Sequence, residues 1–298
     1  MLKTIFYTSV FFMLVFITGC NSCSQKQSVE SNSDLALDFE SLNVIDSIEA
    51  VFYALPSPEE IISYIKDHNV DFNPGLLHNY KEAKLYAENE KKAVVLGVYF
   101  ADLAYISAFR KSDFSPEYIS TVDYLMKEIN INPDFTKQQQ QKIIDSSLEP
   151  DSLYMISREL YDKVISYLQE YDEGKTLSLI SVGTLLESLY ISTYLHKDFV
   201  NQKEAIDRIA EQKLLFEDIV IMMNTYKENA VVSELIRDLK VLQKSFDNLE
   251  VNTAVNKVEE NKDGSLHIKG KNSVQVTEED YYIFVDNVND FRTKLIRQ

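Results

Sequence analysis

The sequence predicts an all-α protein, a multi-helix bundle closed by a small C-terminal β-hairpin and a final helix. Only seven glycines and six prolines occur in 298 residues, too few to interrupt helices often. Apolar residues recur three and four positions apart over long stretches, the period of a helix with one buried face. Ser57-Pro58-Glu59-Glu60, Asn73-Pro74 and Ser115-Pro116-Glu117 each set a capping side chain before a proline at the first helical position, where the missing N–H costs nothing.

At the N-terminus, Lys3 precedes an apolar run from Ile5 to Val15, broken only by Tyr7, Thr8 and Ser9. The run is shorter than the ~20 residues of a spanning helix, and a polar segment follows it. Residues 1–19 are therefore expected to be a cleaved signal peptide. Ile17-Thr18-Gly19-Cys20 resembles the lipobox of bacterial lipoproteins, an aliphatic residue, one further residue, a small residue and cysteine. The resemblance implies that Cys20 carries a thioether-linked diacylglyceryl group and an acylated amine. Each buried methylene adds ~0.8 kcal/mol, so two or three chains hold a protein where one does so marginally. The expected first partner is thus the lipid bilayer, through acylated Cys20.

Residues 20–36 read as a lipid-anchored tether, since Asn21 to Asp34 is built from Ser, Asn, Gln and Lys with almost nothing to bury. Flexible chain of that length spans roughly 20 Å. Cys23 is the only other cysteine, which leaves no internal disulfide once Cys20 is acylated. An intermolecular bridge through Cys23 needs a second thiol from elsewhere, and an incidental residue of the tether is the simpler reading.

Residues 37–298 read as a single helical domain, because no Gly, Pro or Ser-rich linker divides them after residue 57. Helices are expected near 58–69, 74–80, 88–111, 116–130, 136–147, 150–172, 176–197, 201–226 and 229–249. A hairpin is expected near 253–270, where Thr253 to Val258 and the alternating Leu266 and Ile268 flank Asn261-Lys262-Asp263-Gly264. Thr277-Glu278-Glu279-Asp280 caps a last helix that runs to Arg297. With 18 Tyr, 16 Phe and no Trp, the core should be edged by tyrosines whose hydroxyls reach water or a polar partner. Tyr154, Tyr161, Tyr167 and Tyr171 fit such an edge by helical spacing alone.

A net charge of −17, with no compensating basic cluster, excludes nucleic-acid binding. His68, His78, His196 and His267 show no metal-ligand spacing and read as surface or loop residues. Glu259-x-Asn261-x-Asp263-Gly264 resembles the opening of a calcium loop, but Gly270 stands where a bidentate glutamate is needed. The sequence contains no nucleophile elbow, phosphate-cradling loop or serine–histidine signature. Neither catalysis nor a cofactor is expected.

Two acids stand out. Asp102 sits among Val98, Tyr99, Tyr105 and Ile106 at helical spacing, which predicts its burial. Gly97, Ala101, Ala104 and Ala108 form a small-residue strip that allows another helix to approach closely. Shifted by 85 residues, the segment from Val182 to Ser192 overlies Gly97 to Ser107. Asp102 then meets Glu187, and Tyr105-Ile106-Ser107 meets Tyr190-Ile191-Ser192. Asp102, Tyr105, Glu187 and Tyr190 are the candidate ligand-binding residues. Two readings stand for them. The acids can hold a cation or a basic ligand between them. Alternatively, each accepts a hydrogen bond from a neighbouring group, the simpler reading, since the Glu-x-x-His pair of di-metal bundles is missing.

Tyr53-Ala54-Leu55-Pro56-Ser57-Pro58, Leu96 to Tyr105, Val182 to Tyr190 and Ile209-Ala210-Glu211-Gln212-Lys213 together resemble uncharacterised helical lipoproteins of the Bacteroidota, with paired glycine-acid-tyrosine helices. Members often carry tryptophan in the second glycine helix, where this chain has Thr184 and Leu185. The resemblance implies fold and location only. Among lipoproteins of that phylum, acids closely following the cysteine accompany export to the outer face. Asn21 to Lys26 contains none, so the expected site is the outer membrane, on its periplasmic face. The expected function is non-catalytic contact between the helical domain and another envelope component.

Overall fold

A computed structural model describes residues 57–59, 61–62, 70–133, 150–249 and 276–297, with the backbone alone of a few strand residues between the last two helices. The described residues belong to a compact unit, Leu42–Gln298. The signal peptide, the tether with Cys20 and Cys23, the helix expected at 136–147, His68 and the turn at 261–264 lie outside them.

Among the described residues the chain forms α1 (Asn89–Ala108), α2 (Ser115–Glu128), α3 (Pro150–Glu170), α4 (Gly174–Leu195), α5 (Lys203–Glu211), α6 (Lys213–Asn224), α7 (Ala230–Asn248) and α8 (Glu278–Leu295). The all-α class is thereby shown. Residues 58, 59, 61 and 62 are also helical. Short backbone segments pair antiparallel, Glu250–Asn252 with Ser273–Gln275 and Lys257–Glu260 with Leu266–Lys269. The turn that would join the second pair is not described, and the hairpin remains an expectation.

At the centre α1 packs against α4, and both are buried on nearly every side. The two run parallel. Lys175 reaches Glu90 at 2.9 Å near their N-termini, and farther along, the Thr184 hydroxyl donates to the Gly97 carbonyl at 3.2 Å. The stretches that overlie one another at an 85-residue shift are therefore neighbours in space. Two glycines allow this approach. A Cβ on Gly97 would lie 2.0 Å from the Ile180 carbonyl oxygen, and one on Gly183 would lie 1.9 Å from that of Val94. α4 is long and apolar enough to cross a membrane by length and composition, and 89% of its most apolar window is buried inside this fold.

Around the pair, α2 and α3 pack on α1, α6 and α8 pack on α4, and α7 packs on α6 and α8. Phe100 meets Tyr161 edge to face, and Phe246 bridges Phe216 and Phe284. The α3 tyrosines grade from core to solvent: Tyr161 is buried, Tyr154 and Tyr167 are half-buried, and Tyr171 is exposed, its ring tilted against that of Tyr167 with centroids 4.6 Å apart. Lys92, buried in the first turns of α1, is paired with Glu128 of α2 at 2.7 Å.

Helix ends follow their chemistry. The Asn73 side chain accepts from the Gly75 amide, Asn229 from Val231 and Val232, and Thr277 from Asp280. Arg110, Asn130 and Asp172 adopt left-handed φ values of 56°, 60° and 57° just beyond α1, α2 and α3. At each of these ends the following amide reaches back five residues, as in Lys111 to Ile106, so a glycine-poor chain closes its helices with other residues.

Three expectations need correction. The helix expected at 74–80 is two 3-10 turns, Pro74–Leu76 and Tyr80–Leu85, linked by Leu77, His78 and Asn79, with Leu77 and Asn79 in extended backbone. The helix expected at 201–226 divides at Gln212, whose amide bonds three residues back to Ile209 and tightens the turn. His78 and His196 are buried, not superficial. Each has a polar partner that makes burial tolerable: the His78 ring meets the Tyr86 hydroxyl, and the His196 ring meets the Ser192 carbonyl.

Candidate functional site

Asp102 on α1 and Glu187 on α4 lie within a turn or so of the glycine crossing and are both fully buried. Parallel packing at the 85-residue offset sets them on neighbouring stretches of the two helices, close enough for the charge of Glu187 to act on Asp102. Tyr105 and Tyr190 follow one turn later on the same helices. The four candidate residues thus gather at one end of the central pair.

Their partners come from two other parts of the chain. Arg292, near the end of α8, donates to Glu187 through two bonds, Nε to Oε2 at 2.8 Å and Nη2 to Oε1 at 2.7 Å. Its guanidinium carbon lies 4.0 Å from the centroid of the Tyr190 ring, a cation–π contact. Nη2 also reaches the Leu76 carbonyl at 3.3 Å. A guanidinium fork suits this position, since it matches the carboxylate bidentately and carries further donors for a third acceptor.

The second source is the segment Asn73–Asn79, which is fastened by its main chain. The His78 amide donates to Asp102 Oδ2 at 3.0 Å, and the His78 carbonyl accepts from Tyr118 Oη at 2.9 Å. Tyr105 Oη accepts the Asn73 amide at 2.8 Å, and Tyr99 Oη donates to the Asn79 carbonyl at 2.9 Å. With Leu76 held by Arg292, five backbone groups of one short segment are tied to side chains of α1, α2 and α8. Apolar contacts back them: Leu76 packs in a buried cluster with Ile62, Ala104, Tyr105 and Ile191, and Phe72 stacks on Tyr105 at 4.9 Å. The buried polar groups are thus largely spent on segment and helix ends with no repeating ladder of their own.

The protonation states follow from these contacts. Burial, and next the charge of Glu187, pushes Asp102 well above the ordinary carboxylate range, against the pull of Arg292. Asp102 Oδ1 has no hydrogen-bond partner, and its burial disfavours the charged form. Burial also raises Glu187, but the bidentate bond and positive charge of Arg292 oppose it. Burial and then Arg292 lower His78 to about 4, so the ring is neutral. Tyr86 Oη donates its proton to the Ile296 carbonyl at 2.7 Å, which assigns His78 Nε2 as the donor across the 2.9 Å contact to that oxygen.

Chemically, the arrangement fastens. The place beside Glu187 that a cation or basic ligand would take is filled by Arg292. Among the described residues, no three His, Cys, Asp or Glu side chains gather as a metal-ligand set.

Sequence reasoning reached the acids and tyrosines but missed His78 and Arg292. Arg292 was findable: Tyr281, Phe284, Val288 and Leu295 form the buried stripe of α8, and Arg292 follows Val288 by four residues. A lone cation on such a stripe needs a buried acid. His78 gave no such signal, since its backbone amide is what binds Asp102. The chain matches no protein-family model, no curated protein and no solved structure.

Proposed function

We propose that the chain is a membrane-anchored lipoprotein of the cell envelope, attached through acylated Cys20 on the periplasmic face of the outer membrane. Its helical body, with a β-hairpin appendage near 253–270, makes non-catalytic contact with another envelope component. The signal-like N-terminus, the lipobox and the polar tether support the anchor. One observation carries the rest: the buried acids already have internal partners, Arg292 for Glu187 and the His78 amide for Asp102. The interior then serves stability, and recognition falls to the surface. The alternative, a cation or small basic ligand held by Asp102, Tyr105, Glu187 and Tyr190, requires Arg292 to leave Glu187.

Metabolic labelling with a palmitate analogue tests the anchor. Wild-type chain should incorporate label and sediment with membranes, whereas Cys20→Ala should lose both properties. Label retained in Cys20→Ala would refute the assignment of Cys20. Crosslinking in intact cells should recover a discrete envelope partner, and recovery of none from protein confirmed in the envelope would count against the contact role.

A further inference from the structure

We propose that the cleft between the start of α1, the start of α7 and the end of α8 binds a small apolar carboxylate, its hydrocarbon on the cleft wall and its head group on Lys91. The cleft holds about 450 Å³, within the range of small-molecule sites. Val94, Leu235, Phe291 and Leu295 supply apolar wall, and Leu85 at the lip is 57% exposed. The four wall side chains are 1–8% exposed, so the apolar surface now in water that a hydrocarbon would cover is mainly that of Leu85.

Lys91 sets the sign of the ligand. It stands in the first turn of α1, where the positive end of the helix dipole disfavours a cation. It is half-buried, and that burial pulls its amine below the ordinary lysine range. Among the described residues it makes no ion pair. Lys294, in the same cleft, is already held by Asp238 at 2.6 Å and Glu234 at 3.7 Å. Glu88, Glu234 and Asp238 line the cleft, act on Lys91 and oppose an anion; Glu88 is exposed to solvent, where its field is screened, and the other two are countered by Lys294. A carboxylate beside Lys91 would supply the close ionic partner that the fold does not. None of this depends on Cys20 or on an envelope partner.

The test uses the full-length chain and octanoate, an eight-carbon carboxylate, with octylammonium as its cationic counterpart. Lysines are labelled at low conversion with an amine-reactive reagent and read by peptide mass spectrometry. Octanoate at millimolar concentration should slow labelling of Lys91 by about tenfold while leaving the exposed Lys84 and Lys111 unchanged. Octylammonium should not protect, and Val231→Trp, which fills the cleft, should abolish protection. Should that variant misfold, the carboxyl carbon resonance of octanoate, titrated against wild type and Lys91→Met, decides the matter: the shift should vanish in Lys91→Met. No protection of Lys91 by octanoate, or equal protection by octylammonium, overturns the proposal, as does an octanoate shift unchanged in Lys91→Met.

Discussion

Glu59 is a buried carboxyl whose neighbours do little to favour its charge. It is 1% exposed, accepts a hydrogen bond from the Ser157 hydroxyl, and keeps Oε2 without a hydrogen-bond partner. Burial raises it to about 7, opposed by Ser157, its own amide and Ser57, with a further small push from Asp162. A carboxyl raised on folding stabilises the folded state fully below its unfolded value of 4.5, and that contribution is lost as pH rises through about 7. Between about pH 5 and pH 9, wild type should lose about 3 kcal/mol relative to Glu59→Gln, measured by urea unfolding of both across the range. A stability difference that does not change with pH would show Glu59 to be solvated. At this scale Asp102 and Glu187 were legible in the sequence, because an acid inside an apolar helical period has few ways to be exposed. Glu59 was read only as part of a helix start, since its burial comes from packing near Ser157, 98 positions away.

The central helices depend on two residues without side chains. With the carbonyls of Ile180 and Val94 about 2 Å from where a Cβ would stand on Gly97 and Gly183, backbone would have to move to admit even a methyl group. Gly97→Ala and Gly183→Ala should each cost 3 kcal/mol or more, about the top of the range for overpacking, because the obstructing atoms cannot rotate away. Chemical denaturation measures this, and a loss below about 1 kcal/mol would mean that the helices separate easily. The small-residue strip around Gly97 made a close crossing foreseeable, and the 85-residue correspondence pointed to its partner. The division between α5 and α6 was not foreseeable. Neither glycine nor proline stands at Gln212, and apolar spacing continues on both sides, so a single tightened turn left no mark in the pattern. The 3-10 turns around His78 were hidden for a related reason. Asn73-Pro74 announces a helix start, but what holds the following residues is tertiary, five main-chain groups tied to distant side chains.

Across the whole molecule, the parallel pair α1 and α4 forms the centre, and the polar cluster at one end of it fastens both the Asn73–Asn79 segment and α8. Arg292 joins these parts: it touches Glu187 on α4, the Leu76 carbonyl on the segment and the Tyr190 ring. Buried ion pairs of this kind are weak evidence of net stability, yet removing one partner strands the other charge, typically at 3–5 kcal/mol. A double-mutant cycle by urea unfolding therefore tests most directly whether the buried acids form an internal fastening rather than a vacant ligand site. Glu187→Gln and Arg292→Met should each destabilise by about 3 kcal/mol or more, and the double variant should cost less than the two losses together by at least about 1.5 kcal/mol. Glu187→Gln at wild-type stability, with losses that simply add, would contradict the account and leave Glu187 free to serve a ligand.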